Sequence, residues 1–153
     1  MSSGYPPSQP IAQPAHRNLI QNLAWVYAGL FLFVVALGYI PGLTNSAGQL
    51  LGLFRIELKD DILHLASGLW AAVAGWLSVR ASIFYFKLFG IIYGLDGVCG
   101  FLFGQGYLDG GIFFYGVTPL PLGIRFAANL PHMLIGGIAV WIGFVLSRRY
   151  AGQ

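Results

Sequence analysis

Four long runs of apolar residues, separated by more polar segments, divide the chain. They lie at Leu19–Ile40, Ile62–Val79, Leu88–Leu108 and Leu130–Leu146. As a helix rises about 1.5 Å per residue, each run is about long enough to cross the roughly 30 Å hydrocarbon core of a bilayer. The pattern therefore predicts an all-α fold with four transmembrane helices.

The second pair of runs repeats the first pair. When Leu19–Arg80 is placed on Lys87–Arg148 without a gap, 12 of the 62 paired residues are identical, and His64 coincides with His132. A repeat of this kind indicates tandem duplication of a helical hairpin, with the two copies related by an axis along the membrane normal. We therefore expect one membrane domain, a four-helix bundle built from hairpins at 19–80 and 87–148.

The segments outside the apolar runs have two characters. Residues 1–18 contain Pro6, Pro7, Pro10 and Pro14, and this predicts a Pro-rich tail without a helix. The connections inside the two hairpins, 41–60 and 109–128, are long for helix connections and still rich in apolar residues. We expect these connections to lie at the membrane interface or to fold back over the bundle.

Composition and charge agree with a membrane location. Hydrophobic residues make up 57% of the chain and charged residues only 8%, against roughly a quarter in a soluble domain. The net charge of +3 is spread over the ends of the apolar runs, so no nucleic-acid partner is predicted. Basic residues are enriched on the cytoplasmic side of membrane proteins, which predicts that both termini are cytoplasmic. The cations on that side are Arg17, Arg80, Lys87, Arg148 and Arg149, against Arg55, Lys59 and Arg125 on the other.

Two histidines begin stripes of small residues at helical spacing. The stripes are His64, Gly68, Ala71 and Gly75 in the second run and His132, Gly136, Ala139 and Gly143 in the fourth. Small residues in membrane helices mark close helix packing, so both imidazoles should face protein and each other near the outer surface. On the first and third runs we expect matching inward stripes, Gly29-Phe33-Ala36 and Gly97-Phe101-Gly104.

The favoured interpretation of the histidines is structural. Asp61 and Asn129 lie three residues before them and are of the residue types that cap helix N-termini, with each imidazole bonding back to the cap. Pro131 would then lie in the first turn of the fourth helix. The alternative is that His64 and His132 bind a cofactor, haem b or chlorophyll, inside the bundle.

Asp96 interrupts the third run, and its counterpart in the first run is Ala28. Acids inside a membrane are costly and are candidate functional residues. The favoured interpretation is a protonated acid that bonds to Tyr93, Ser67 or a helix carbonyl, and the alternative is passage of a proton or solute. No motif of a soluble enzyme occurs, so no catalytic residues are predicted.

The chain resembles a family of small bacterial four-helix membrane proteins that is described only as a domain of unknown function. The resemblance lies in Gly52-Leu53-Phe54, Asp61-x-x-His64-x-x-x-Gly68 and Asn129-x-Pro131-His132-x-x-x-Gly136, and it extends over about residues 19–148. Asp61 stands where the family is expected to have Asn, and Asp96 is outside its pattern. The resemblance implies a four-helix fold in the bacterial cytoplasmic (inner) membrane and no activity.

These observations together predict a non-enzymatic accessory or structural membrane protein. We expect it to pack in a larger membrane assembly or as a homo-oligomer. The alternatives are the haem b or chlorophyll protein and a proton-coupled permease for a small solute that works through Asp96.

Overall fold

A computed structural model describes residues 18–55 and 57–150, which are mostly helical. Four helices are 20 residues long or longer: α1 (Leu19–Gly38), α2 (Leu58–Leu77), α3 (Val79–Phe103) and α5 (Leu122–Phe144). The prediction of a predominantly α-helical chain is confirmed. The predicted Pro-rich tail lies outside the described residues, apart from Asn18.

Short elements occupy the connections. The first connection contains an antiparallel strand pair, β1 (Gln49–Leu50) and β2 (Phe54–Arg55), in which Gln49 pairs with Arg55 and Leu50 with Phe54. The second contains the short helix α4 (Gly111–Tyr115), and a 3₁₀ turn at Leu146–Arg149 follows α5. The strand pair is a feature that the apolar pattern did not predict.

Three of the helices are long and apolar enough to cross a membrane: α1, α3 and the segment Leu122–Arg149, which contains α5. The helix α2 is not among them, because its first turn carries Lys59, Asp60 and Asp61. By length and composition, the chain therefore has the helices of a membrane protein.

The helix boundaries follow from local capping. Asn18 caps α1 by accepting a hydrogen bond from the Ile20 N–H, and the Asp60 carboxylate accepts from the Glu57 N–H at the start of α2. A single residue, Ser78, joins α2 to α3 in extended conformation, and its hydroxyl accepts from the Ala81 N–H. At its other end α3 stops at Gly104, whose φ of 80° is left-handed and favours glycine.

Glycines let the helices of each hairpin approach closely. A methyl group at Gly68 would lie 3.1 Å from Phe31 Cβ, and one at Gly75 would lie 3.1 Å from the Gln21 carbonyl oxygen, so this face of α2 packs on α1. Correspondingly, a methyl group at Gly136 would lie 3.1 Å from the Gly90 carbonyl oxygen, and one at Gly143 would lie 2.7 Å from the backbone nitrogen of Lys87. This face of α5 therefore packs on α3, and both pairs of helices are antiparallel.

The inward stripe expected on the first helix is wrong. A methyl group at Gly29 would have no neighbour within 4 Å, and Phe33 is 58% exposed. The reason is that the two hairpins pack in different registers. Gly68 and Gly136 are 68 residues apart in the chain, as the repeat requires, but the residues that they contact, Ala28 and Gly94, are only 66 residues apart. A two-residue shift turns a helix by about 200°, which moves residues to the opposite face.

The core consists mainly of aromatic side chains from α1 and α3. Its large members are Tyr27, Phe31, Tyr85, Phe86, Phe89 and Tyr93. Most of these rings pack edge to face; the ring centroids of Tyr27 and Phe86, for example, are 5.1 Å apart. Tyr27 also donates a hydrogen bond of 2.8 Å to the Ile135 carbonyl on α5. The core therefore joins the two hairpins.

Candidate functional site

Three helices bring four polar side chains together, and we call this group the polar cluster. It consists of His64 from α2, Tyr93 and Asp96 from α3, and His132 from α5. Nδ1 of His132 lies 2.9 Å from Oδ2 of Asp96, and Nε2 of His64 lies 3.3 Å from the Tyr93 hydroxyl. The Tyr93 and His132 rings are 4.5 Å apart, so the two hydrogen-bonded pairs are contiguous.

The turn after α3 folds back onto Asp96. The backbone N–H groups of Tyr107 and Leu108 both donate to Oδ1, at 2.7 and 2.8 Å. This approach needs a residue without a side chain before them, because a methyl group at Gly106 would lie 2.7 Å from the same oxygen. Gly97 similarly lets His132 approach, since a methyl there would lie 2.8 Å from His132 Cβ.

The partners expected for Asp96 are therefore wrong. Its carboxyl group bonds to two backbone N–H groups and an imidazole, and not to Tyr93, Ser67 or a helix carbonyl. This set of donors suits an ionised carboxylate better than the neutral acid that the sequence suggested. The side chain of Asp96 is only 4% exposed, so these three groups take the place of water.

The two imidazoles lie across from one another between the hairpins. Their ring centroids are 6.4 Å apart, and Phe31 stacks on His64 at 5.8 Å. The Tyr93 ring packs on His132 while its hydroxyl group bonds to His64, so Tyr93 links the two. His132 remains 28% exposed in its side chain. A porphyrin between the imidazoles would require Tyr93 to move.

The predicted capping roles of Asp61 and Asn129 are wrong, because both helices begin earlier. Glu57 is the N-cap of α2 and Pro121 that of α5, so both residues, and Pro131, lie inside helices. Asp61 instead accepts a 2.7 Å hydrogen bond from the Tyr39 hydroxyl. Asn129 donates to the Arg125 carbonyl at 2.8 Å. The histidines consequently do not occupy the third helical position, and they do not bond back to a cap.

Charged groups concentrate at the same end of the helices, outside the apolar segments. Lys59 lies 3.2 Å from Glu57 and 3.5 Å from Asp109, which connects the start of α2 to the second connection. Burial, and then the charge of Asp109, raises the pKa of Asp60 to about 6. This carboxyl group therefore titrates well above its ordinary range.

The arrangement can hold a proton and move it over a short distance. A carboxylate beside an imidazole shares one proton, and the hydroxyl of Tyr93 can both donate and accept. Within residues 18–55 and 57–150, no three His, Cys, Asp or Glu side chains form a group that could hold a metal ion. Sequence reasoning missed the contribution of Tyr107 and Leu108, because backbone N–H groups leave no signal in a side-chain pattern.

Comparison with known proteins adds no relative. No family model matches the sequence, and no curated protein or solved structure matches it either.

Proposed function

We propose that this protein is a small non-enzymatic integral membrane protein, an accessory or structural component that packs in a larger membrane assembly or as a homo-oligomer. The observation that carries the proposal is the combination of three apolar helices with a polar cluster whose members bond to one another and to the backbone. Inside a bilayer such internal pairing allows polar side chains to join helices.

The proposal includes a fourth span, and hence a four-helix bundle from a duplicated hairpin. Three features support it. The one-residue junction at Ser78 makes α2 run antiparallel to α3. Glycines at corresponding positions of α2 and α5 pack on α1 and α3, and the histidines also have corresponding positions on α2 and α5. The acidic first turn of α2 would lie at the interface, and the apolar remainder would cross the membrane.

The proposed location is a bacterial cytoplasmic membrane, with both termini in the cytoplasm. Arg80, Lys87, Arg148 and Arg149 lie at one end of the helices, and Lys59 and Arg125 lie at the other. This bias follows the rule that basic residues remain on the cytoplasmic side. The resemblance to the bacterial family of unknown function supports the same location. Membership of that family remains a prediction.

The assembly proposal is tested by the mass of the protein in mild detergent. We expect blue-native electrophoresis and light scattering of the full chain, purified from membranes, to show an oligomer or a complex with another membrane protein. The same measurement in a harsh detergent serves as the control, because it should release the 16.6 kDa chain. A monomer in both detergents, with no associated protein, would contradict the proposal.

A second candidate function is proton-coupled transport of a small solute, and the Asp96–His132 pair favours it. Ionisable pairs inside membranes form proton relays in transporters, and Tyr93 extends this pair to His64. In proteoliposomes that contain a pH-sensitive dye, Asp96→Asn should abolish a flux that His64→Ala leaves partly intact. Equal flux through the parent protein and Asp96→Asn would eliminate this candidate.

Binding of haem b or chlorophyll by His64 and His132 also remains a prediction. The separation of 6.4 Å between the two ring centroids supports this candidate, although Tyr93, which bonds to His64, would have to move. Protein expressed with an ample supply of cofactor should then show visible absorption bands that disappear in His64→Ala and His132→Ala. A spectrum without visible bands would rule this function out.

A further inference from the structure

A half-open crevice lies between α2 and α3, beside the polar cluster. Its volume is about 220 Å³. Leu63, Ser67 and Trp70 line it from α2, and Phe89, Ile92 and Tyr93 line it from α3. Ala66, which also lines the crevice, is exposed, so the crevice can be reached from outside the helix pair.

Ser67 is the unusual residue of this crevice. It is only 9% exposed, yet its hydroxyl makes no hydrogen bond with any residue that the structure describes. The other two buried serines of the described residues have partners: Ser82 donates to the carbonyls of Ala74 and Ser78, both at 3.0 Å, and Ser147 donates to the Gly143 carbonyl at 2.6 Å. In the described residues the buried side-chain polar atoms without a partner are the Tyr85 hydroxyl and Nε of Arg125; the Ser67 oxygen is not among them, so it opens to the crevice and is available to a ligand there.

The size and lining of the crevice indicate the shape of that ligand. An apolar cavity of about 150 Å³ is known to hold benzene. At about 220 Å³, this crevice can take a six-membered ring with small substituents. Trp70, which is half-buried, offers an aromatic surface on which a flat, electron-poor ring packs well. Phe89 and Tyr93 stack on one another at 4.8 Å and are only 3% and 2% exposed, so they add apolar lining and not a free ring face.

We propose that the crevice binds the ring of a lipid-soluble quinone. One carbonyl oxygen of the ring accepts a hydrogen bond from the Ser67 hydroxyl, and the apolar tail leaves past Ala66 into the bilayer. A quinone combines the features that the crevice requires: a flat electron-poor ring, an oxygen acceptor and solubility in lipid. The inference rests on the membrane location proposed above, and it assigns a ligand to a site that the polar cluster borders through Tyr93.

The test is equilibrium dialysis of duroquinone, a single-ring quinone, against the purified full chain in detergent, with detergent alone as the blank. We expect saturable binding of one quinone per chain. Ser67→Ala should raise the dissociation constant about fivefold to tenfold, as expected for the loss of one hydrogen bond. Ala66→Trp, which fills the mouth, should abolish binding.

Gly137→Trp provides the matched control. It adds the same ring to a helix surface where a methyl group would meet nothing within 4 Å, away from the crevice, and it should bind duroquinone like the parent protein. Helical circular dichroism identifies any variant that fails to fold, in which case Ser67→Ala alone decides the hydrogen bond.

Three results would overturn the proposal. They are binding no greater than to detergent alone, equal binding by the parent protein and folded Ala66→Trp, and equal affinity for durene, which has the same ring and methyl groups without oxygen. If Ser67→Ala binds as tightly as the parent protein, the assigned hydrogen bond is wrong. A failure of the membrane location would be seen separately, because the chain would then appear in the soluble fraction of the cell.

Discussion

Asp96 is an acid in a helix that is apolar enough to cross a membrane, and its neighbours show how such an acid is accommodated. Two backbone N–H groups and one imidazole replace the water that it loses on burial. The imidazole belongs to α5 and the N–H groups to the turn after α3. A single side chain therefore holds together two elements that follow α3 in the chain.

We expect this pair to be energetically coupled. Asp96→Ala should destabilise the protein by about 3 kcal/mol, because it leaves buried donors without an acceptor. The double variant with His132→Ala should be more stable than the sum of the single effects predicts, by about 1–3 kcal/mol. Unfolding in detergent with increasing denaturant measures all three variants.

The control for the coupling is the pair Asp96→Ala and Ser147→Ala, because the Ser147 hydroxyl donates to the Gly143 carbonyl near the other end of α5 and not to the polar cluster. The effects of these two should add. If Asp96→Ala and His132→Ala are also additive, the hydrogen bond between them contributes nothing to stability.

Asp60 should make stability depend on pH between about 4 and 6. The pKa of Asp60 is raised from 3.8 to about 6, chiefly by burial and then by Asp109. A raised acid pKa means that the folded state holds its proton more tightly, so this contribution is present below about pH 4 and is lost as the pH rises through about 6.

Asp60→Asn should therefore have a higher melting temperature than the parent protein at pH 7.5 and the same melting temperature at pH 4. The amide oxygen can still accept from the Glu57 N–H, so the cap of α2 is preserved. Asp109→Asn should give a smaller gain at pH 7.5, because Asp109 is the lesser cause of the raised pKa and the substitution also removes the ion pair between Asp109 and Lys59. A gain of equal size at both pH values would show that the Asp60 charge is not responsible.

At the scale of the elements, α3 organises the molecule. It packs along α5 and also contacts α1 and α2. Its approach to α5 depends on glycines on both helices, since lipid provides no hydrophobic drive for helix association and close van der Waals contact must replace it. Neighbouring glycines of α5 differ in this respect: Gly136 faces α3, whereas Gly137 faces outwards.

This difference yields a matched pair of substitutions. Gly136→Ala should destabilise the protein by about 1–3 kcal/mol, because the new methyl would overlap the backbone of Gly94 and force the helices apart. Gly137→Ala should be neutral or slightly stabilising, because alanine favours a helix and has open space there. Thermal unfolding in detergent compares the two. Equal effects would mean that this face of α5 does not pack on α3.

At the scale of the whole molecule, the number of membrane-spanning helices determines whether the two termini lie on the same side of the membrane. If α2 crosses the membrane, the four spans place both termini on one side; if only α1, α3 and α5 cross, the termini lie on opposite sides. We expect a fluorescent protein fused after Gln153 to be fluorescent, and alkaline phosphatase fused there to be inactive, as on the cytoplasmic side. The same reporters at Asn45, in the first connection, should behave in the opposite way. Phosphatase activity after Gln153 would contradict four spans with cytoplasmic termini.

The apolar pattern predicted most of the helices, because helix formation in a membrane depends mainly on the length of an apolar segment. The glycine and histidine stripes of α2 and α5 were also readable, since helical spacing places such residues on one face. The starts of α2 and α5 could not be predicted in this way. Asp61 and Asn129 are of the residue types that usually cap helices, whereas the actual N-caps, Glu57 and Pro121, are not. Local capping signals are degenerate, and tertiary contacts choose among them.

By itself, then, the sequence determined a predominantly helical chain with apolar segments of membrane length, and it singled out His64, His132 and Asp96. Only the tertiary structure decided how these residues meet. The two-residue change of register between α1 and α3 determines which faces are buried, and the turn at Gly106 brings the N–H groups of Tyr107 and Leu108 to Asp96. The physical reason is that registers and backbone hydrogen bonds between distant segments depend on packing in three dimensions, whereas helix-forming runs depend on neighbouring residues along the chain.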